Sequence, residues 1–598
     1  MRLALACALV CACAAPTPDA AAPADVDPPP APALADPPDA FVAPTTAAAA
    51  LAAARAHLDD GAADAAPDGT VNVYLCAYRP PAPAVCAAGR GADAVAAAGA
   101  AGTHLGADLA SRRVVPAAVR LELDLVTRRT PSSLPGVLPM PEVGLVGFEA
   151  GPGFLTPSEL IERDLVTART GQVDVRGLAR ALSDRGGRAD LHLGDSVTRV
   201  ETVTWLEGTD GAAPVRMFRT WPLQRPSTDT DSLLRRARMA ADHLARITDA
   251  RGRIRYHYEV ALDHERNQDN LLRHAGSIYA LMQAYQQLHV PAWRAAGERA
   301  IGYLLRHTEV GTRTGPSGGG RARFVVSHRS TGKVLKLGGS ALALISLVEH
   351  IAATGDERYL PEARELARFI VSAQKRSGEL ASYLPYRPGD EVPKRASIYY
   401  PGEAILGLVR LSEVDPDPLW LKTARRAADW LIDVRDGGKR IDQLVTDHWL
   451  MIAMSHLYAA TRDTRYLEHM QRMTSRIALE LGATAGVAAR YPDYAGSVST
   501  PPRSTPSATR AEGLVGAVDA CRLAHASCAE RMKLLVSLLT HALSTQYTAD
   551  ALYWVPRPEA AAGGVAGGLT DTSIRDDFVQ HTLSATLGLA RLRGDAAP

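Results

Sequence analysis

The chain has 598 residues, with 66 Lys plus Arg against 65 Asp plus Glu. It is too long for one ordinary domain, and it lacks the charge excess of a nucleic-acid or anionic-membrane binder. Hydrophobic residues make up 46% and aromatics only 5%, which predicts a large Ala/Leu/Val core of closely packed helices rather than aromatic-rich sheets.

Residues 1–13 read as a secretory leader: one basic residue, a short apolar run, then small residues. Val10-Cys11-Ala12-Cys13 has the layout of a lipobox with Cys13 as the lipidated residue, and Ala12-Cys13-Ala14 also fits an ordinary A-x-A cleavage site. Residues 14–47 are nearly all Ala, Pro and Asp and predict an extended linker that cannot bury a core. Export to the periplasm, or an outer-membrane lipoprotein held only by its lipid, is the expectation. No later run approaches a membrane span.

Residues 48–225 predict a smaller α+β domain of unknown function. Val71–Leu75 and Val119–Leu125 alternate as half-buried strands, and Pro157-Ser158-Glu159-Leu160-Ile161 opens a helix. Gly194-Asp195-Ser196-Val197 reads as a turn between strands, since no later Asp-x-x-His accompanies it. Cys76/Cys86 and Cys521/Cys528 are either local disulfides or buried thiols. Their spacings are not those of a zinc site, and no metal or cofactor is expected.

From Asp229 onward the pattern is helical in pairs, roughly 229–248, 268–289, 291–308, 337–354, 356–375, 400–413, 417–435, 446–461, 464–482, 508–525, 528–548 and 573–593. The turns Ala353-Thr354-Gly355-Asp356 and Ala460-Thr461-Arg462-Asp463 are alike. Hairpins of this kind cannot bury their apolar faces alone, so neighbours must stack. Six hairpins with apolar first and charged second helices resemble the (α/α)6 toroid of six-hairpin glycosidases and N-acylglucosamine 2-epimerases over about residues 229–593. The resemblance implies a mainly α toroid of about twelve helices over 226–598. It is specific for architecture and not for chemistry, because one fold carries many reactions.

The long links, about 309–336, 376–399, 436–445, 483–507 and 549–572, all fall on one rim, where they are expected to expose Tyr383, Tyr386, Tyr399, Tyr400, Tyr491, Tyr494, Tyr553 and Trp554. The inner helices start on that rim with polar first turns carrying Arg273 and His274, Glu403, Asp447-His448-Trp449, Arg510 with Glu512, and Asp577 with His581. Glu403 and Glu512 each precede a glycine by four residues, Gly407 and Gly516, which predicts room for a ligand beside them.

Glycoside hydrolysis needs a protonated and an ionised carboxyl. Glu403 is the expected acid, with Glu512 or Asp447 the base. Asp577 and His581, four apart on one helix face, could form a carboxylate-oriented base. By helix order alone, resemblance to the epimerases matches His448 and His581 to their two proton-exchanging histidines. Arg273 and Arg510 would recognise an acidic sugar; His274, Tyr399, Tyr400, Trp449, Tyr491 and Trp554 complete the expected binding set. Three classes remain open at this level: a glycoside hydrolase or lyase of the envelope, a sugar epimerase or isomerase, and a non-catalytic glycan-binding or scaffolding lipoprotein. The expected partner is a glycan, with no nucleic acid.

Overall fold

A computed structural model describes residues 43–58, 71–329 and 332–594. The leader, Cys13 and nearly all of the linker lie outside the described residues.

The first region is an eight-stranded antiparallel sheet. Its strands are β1 (Val71–Arg79), β2 (Ala82–Gly91), β3 (Arg120–Ser133), β4 (Val146–Ala150), β5 (Gly153–Leu155), β6 (Ser196–Leu206), β7 (Val215–Phe218) and β8 (Trp221–Pro222). The order is β2-β1-β3-β6-β4-β5, with β7 on β6 and β8 on β7. Cys76 faces Cys86 across β1 and β2, and the two form a disulfide. Period-two alternation sends Val73, Leu75, Leu121, Leu123 and Leu125 to one face, under helices Pro44–His57 and Ala94–Ser111. Those helices approach closely because Gly102 and Gly106 carry no Cβ; one there would strike the backbone of Ala54 and Leu58. The opposite face carries Tyr74, Cys76 and Tyr78 into the core of the helical domain. β1 is therefore buried on both faces, where alternation alone predicts a half-buried strand.

The helical domain is a closed ring of six hairpins. The inner helices, taken in order as the first to the sixth, are Leu271–Leu288, Leu337–Thr354, Tyr400–Val414, His448–Thr461, Ser504–Leu523 and Asp576–Gly594. The outer ones are Thr230–Arg246, Pro291–Arg306, Leu360–Ser372, Pro418–Trp430, Thr464–Ala488 and Ala529–Ser544. Each inner helix packs on the next, and the sixth packs back on the first, closing the barrel. The second is long and apolar enough to cross a bilayer, contrary to the sequence expectation, but it is buried as a stave of the barrel. Side-chain caps start the helices: Asp229, Asn270, Asp417, Asp447 and Asp463 each accept a backbone N–H of the first turn. The matched turns end alike, with Gly355 and Arg462 both left-handed at the helix C-cap.

Inner-to-outer connections are short, and outer-to-inner connections cross the rim at the inner N-termini. These long links are not plain loops. Thr308–Gly315, Gly318–Arg329, Gly332–Lys336 and Tyr383–Pro385 form a four-stranded sheet, and His257–Glu259, His264–Glu265 and Ile574–Arg575 a three-stranded one. The α+β region is seated on the rest of this rim. Arg219 and Asp493 form a buried ion pair at 3.1 Å, Trp221 Nε1 donates to Leu569 O at 3.0 Å, and Tyr553 donates to Glu122.

Candidate active site at the barrel mouth

Pro401 occupies the first turn of the third inner helix, where its missing N–H costs nothing, and the helix then turns Glu403 inward. Asp447 caps the neighbouring fourth helix through Oδ1, which accepts Leu450 N–H at 3.2 Å. Both carboxyls are buried, and Glu403 Oε2 and Asp447 Oδ2 have no hydrogen-bond partner. Each fits against a glycine of an adjacent stave or turn. A Cβ at Gly338 would come within 2.3 Å of Glu403 Oε2, and one at Gly402 within 2.4 Å of Asp447 Oδ2. Burial, reinforced by the Asp447 charge, pushes Glu403 up to about 8. Burial also pushes Asp447 up to about 7, against the pull of Arg435. Two carboxyls that hold and release protons near neutrality can serve as acid and base for a transfer between them.

Arg273, from the first inner helix, is the half-exposed cation of this mouth. It lies 3.3 Å from Asp577, and its charge opposes the upward shifts of Glu403 and Asp576. Burial raises the Asp577 carboxyl, but Arg273 and Arg575 outweigh it and hold Asp577 below the usual range. Its neighbour Asp576 is raised well above it by burial and by the Asp577 charge. Tyr399 and Tyr400 are half-exposed; Tyr400 meets Tyr383 edge-on at 5.8 Å, and Tyr399 meets the His448 ring at 5.8 Å.

Deeper in the barrel, His581 Nδ1 lies 2.7 Å from Glu512 Oε2, and His448 Nε2 lies 3.8 Å from the same oxygen. The two imidazoles touch edge to face at 4.9 Å, and Trp449 packs on both and on Tyr279. This layer partitions the barrel. Burial, and then the neighbouring His581, depresses His448 far below an ordinary histidine; burial raises Glu512. One atom from each of His448, Glu512 and His581 falls within 4.8 Å of the others, a donor set that could accept a cation. The hydrogen bond to His581 already engages the Glu512 carboxylate. Beyond the partition a cavity of about 640 Å³ is lined by the middle and C-terminal turns of all six inner helices.

Several sequence expectations change. Asp577 does not orient His581: it pairs with Arg575 at 2.8 Å and with Arg273, and Glu512, sixty-nine residues away, reaches the imidazole instead. Gly407 does not clear ligand space, since it admits Leu344 of a neighbouring helix; Gly516 admits the Ile452 backbone and, with Glu512, also lines the far cavity. His274 turns outward, Nε2 lying 2.9 Å from Ala300 O of an outer helix. Arg510 donates to Glu480, also outer, at 3.1 Å. Tyr491, Tyr494, Tyr553 and Trp554 are buried, not exposed on the rim, and Trp449 belongs to the partition. Both cysteine pairs are disulfides. Gly338, Gly402 and Arg575, with the Tyr256 ring 5.3 Å under the Arg575 guanidinium, join the mouth without having been foreseen. Of these, Gly402 adjoins Glu403 in the sequence and Arg575 stands two residues before Asp577.

No family model and no curated protein matches the chain. Solved structures do. The α-1,6-mannanase from Salegentibacter is 12% identical at a TM-score of 0.44, spanning 60% of this chain and 99% of its own. An unsaturated glucuronyl hydrolase specific for heparin is 14% identical at 0.44, spanning 61% and 98%. The cellobiose 2-epimerase from Bacillus thermoamylovorans is 12% identical at 0.44, spanning 61% and 99%. The six-hairpin barrel described above stands on its own helix packing.

Proposed function

We propose that this protein is a carbohydrate-active enzyme that cleaves a glycan by acid–base chemistry at the barrel mouth, most simply as a glycoside hydrolase. The observation that supports this is the Glu403–Asp447 pair: two buried carboxyls from adjacent helices, each with a free oxygen and each raised toward neutrality. Protonated Glu403 would give its proton to the leaving glycosidic oxygen, while ionised Asp447 activates water or stabilises the developing cation. Tyr399 and Tyr400 offer flat faces to sugar rings, and Arg273 offers a charge to a uronate or sulfate group, so an acidic glycan is the preferred substrate class. The histidines favour an epimerase less. Two bases exchanging a proton at one carbon must flank it, and the touching rings of His448 and His581 leave no space between them. The leader and Cys13 support work in the envelope, on a lipid anchor.

The test is turnover of neutral and uronate-containing oligosaccharides by the full chain, read as new reducing ends. Ultraviolet absorbance of an unsaturated product distinguishes a lyase. Cleavage reduced about 10²- to 10⁴-fold in Glu403→Gln is the expected result. No turnover of any oligosaccharide in the panel, or full activity in that variant, overturns the reading.

A further inference from the structure

The cavity beyond the partition is on the side of the barrel away from the rim that carries Glu403 and Asp447. Its volume, about 640 Å³, is that of a small-molecule site. Its charges answer one another. Arg410 pairs with Glu349 at 3.1 Å, Arg591 with Asp519 at 2.6 Å, and His456 with Glu413 at 2.7 Å. Glu512, at its inner end, is engaged by His581. No ionic group is left over to select an anion or a cation. What the wall does offer is neutral: Gln283, Gln287, Ser455 and Ser584 are set among the apolar faces of Ile345 and Leu587. Two of these groups are unsatisfied. Gln283 Oε1 is buried without a partner, and so is the Ser584 hydroxyl, in a residue only 6% exposed that lies beside Glu512 but makes no hydrogen bond of good geometry. A buried polar atom left unpaired in a folded protein calls for a ligand or water to pair it.

From this we infer that the far cavity is a second binding site, for a neutral saccharide. Its hydroxyls would be met by the amides and serine hydroxyls, and its apolar ring face by the aliphatic wall. The site goes beyond the mouth chemistry and uses none of its residues.

Titration calorimetry and ligand-observed NMR on the full chain test it, with glucose, cellobiose and maltose as neutral probes and glucuronate as the charged control. At least one neutral probe is expected to bind, glucuronate at least tenfold more weakly. Ser455→Phe, which fills the cavity, and Gln283→Leu, which removes an amide at nearly constant volume, should each weaken binding tenfold or more. Tyr399→Ala, which removes a ring face from the mouth, should leave binding unchanged, which separates this site from the mouth. Unfolding of Ser455→Phe, checked by circular dichroism, leaves Gln283→Leu as the deciding variant. The inference falls if no neutral probe binds, if glucuronate binds as tightly, if binding survives Gln283→Leu, or if it vanishes in Tyr399→Ala.

Discussion

Glu403 and Asp447, forty-four residues apart in sequence, meet at the mouth because the third and fourth inner helices are neighbouring staves, and each keeps one buried oxygen unpaired. Replacing Glu403 by Gln removes the proton without changing the shape. Cleavage should fall by about 10²- to 10⁴-fold, the range for losing a general acid, with unaltered circular dichroism. In the wild type, kcat/KM should decline as pH rises through about 8, where Glu403 loses its proton.

Stability carries the same signature. The folded state holds Glu403 protonated up to about 8 while the unfolded chain releases that proton near its ordinary 4.5. The contribution is therefore full below about 4.5 and is lost as pH rises through about 8. Thermal unfolding across this window should show a shallower decline in Glu403→Gln than in the wild type.

Asp447 has two jobs that substitution can separate. Asn caps a helix as well as Asp does, whereas Ala loses about 1 kcal/mol. Asp447→Asn should keep its melting temperature and lose activity; Asp447→Ala should lose both. Equal activity in Asn and wild type would confine Asp447 to capping.

Arg273 is half-exposed beside buried acids, so its removal should act on substrate more than on folding. With a uronate oligosaccharide, Arg273→Ala should raise KM about tenfold or more while kcat changes less, the pattern of lost ground-state binding. A neutral oligosaccharide should show no such rise.

The Arg219–Asp493 pair joins the two domains with both side chains buried. Truncating one partner strands the other charge, at a cost of about 3–5 kcal/mol. Arg219→Ala should lower the urea midpoint accordingly, and protease nicking between the sheet and the barrel should increase.

How far the sequence could be read follows from what is local. Pro401, Asp417, Asp447 and Gly355 mark helix ends within a few residues, and apolar periodicity between them reveals twelve helices and their pairing. Glu403 could be singled out because an acid in an apolar first turn is a local anomaly. The Glu512–His581 hydrogen bond spans sixty-nine residues, and Asp577 offered a nearer but mistaken partner. Gly338 and Gly402 cradle carboxyls of other segments, so nothing beside them in sequence reveals the role. Tyr553 was expected on the rim because it lies in a long link between hairpins; docking of the α+β domain packs it on Tyr78 and Glu122 instead. The Gly- and Arg-rich stretch from Thr308 to Arg329 has too little apolar alternation to declare strands, yet it pairs as a hairpin.

The seam of the barrel lies between the first inner helix and Asp576–Gly594. During synthesis the wall stays open until that last stave has left the ribosome, and with it arrive Asp576, Asp577 and His581. An incomplete nascent chain thus carries Glu512 without the imidazole that engages it in the closed ring. The Glu512–His581 bond and the completed ring emerge together.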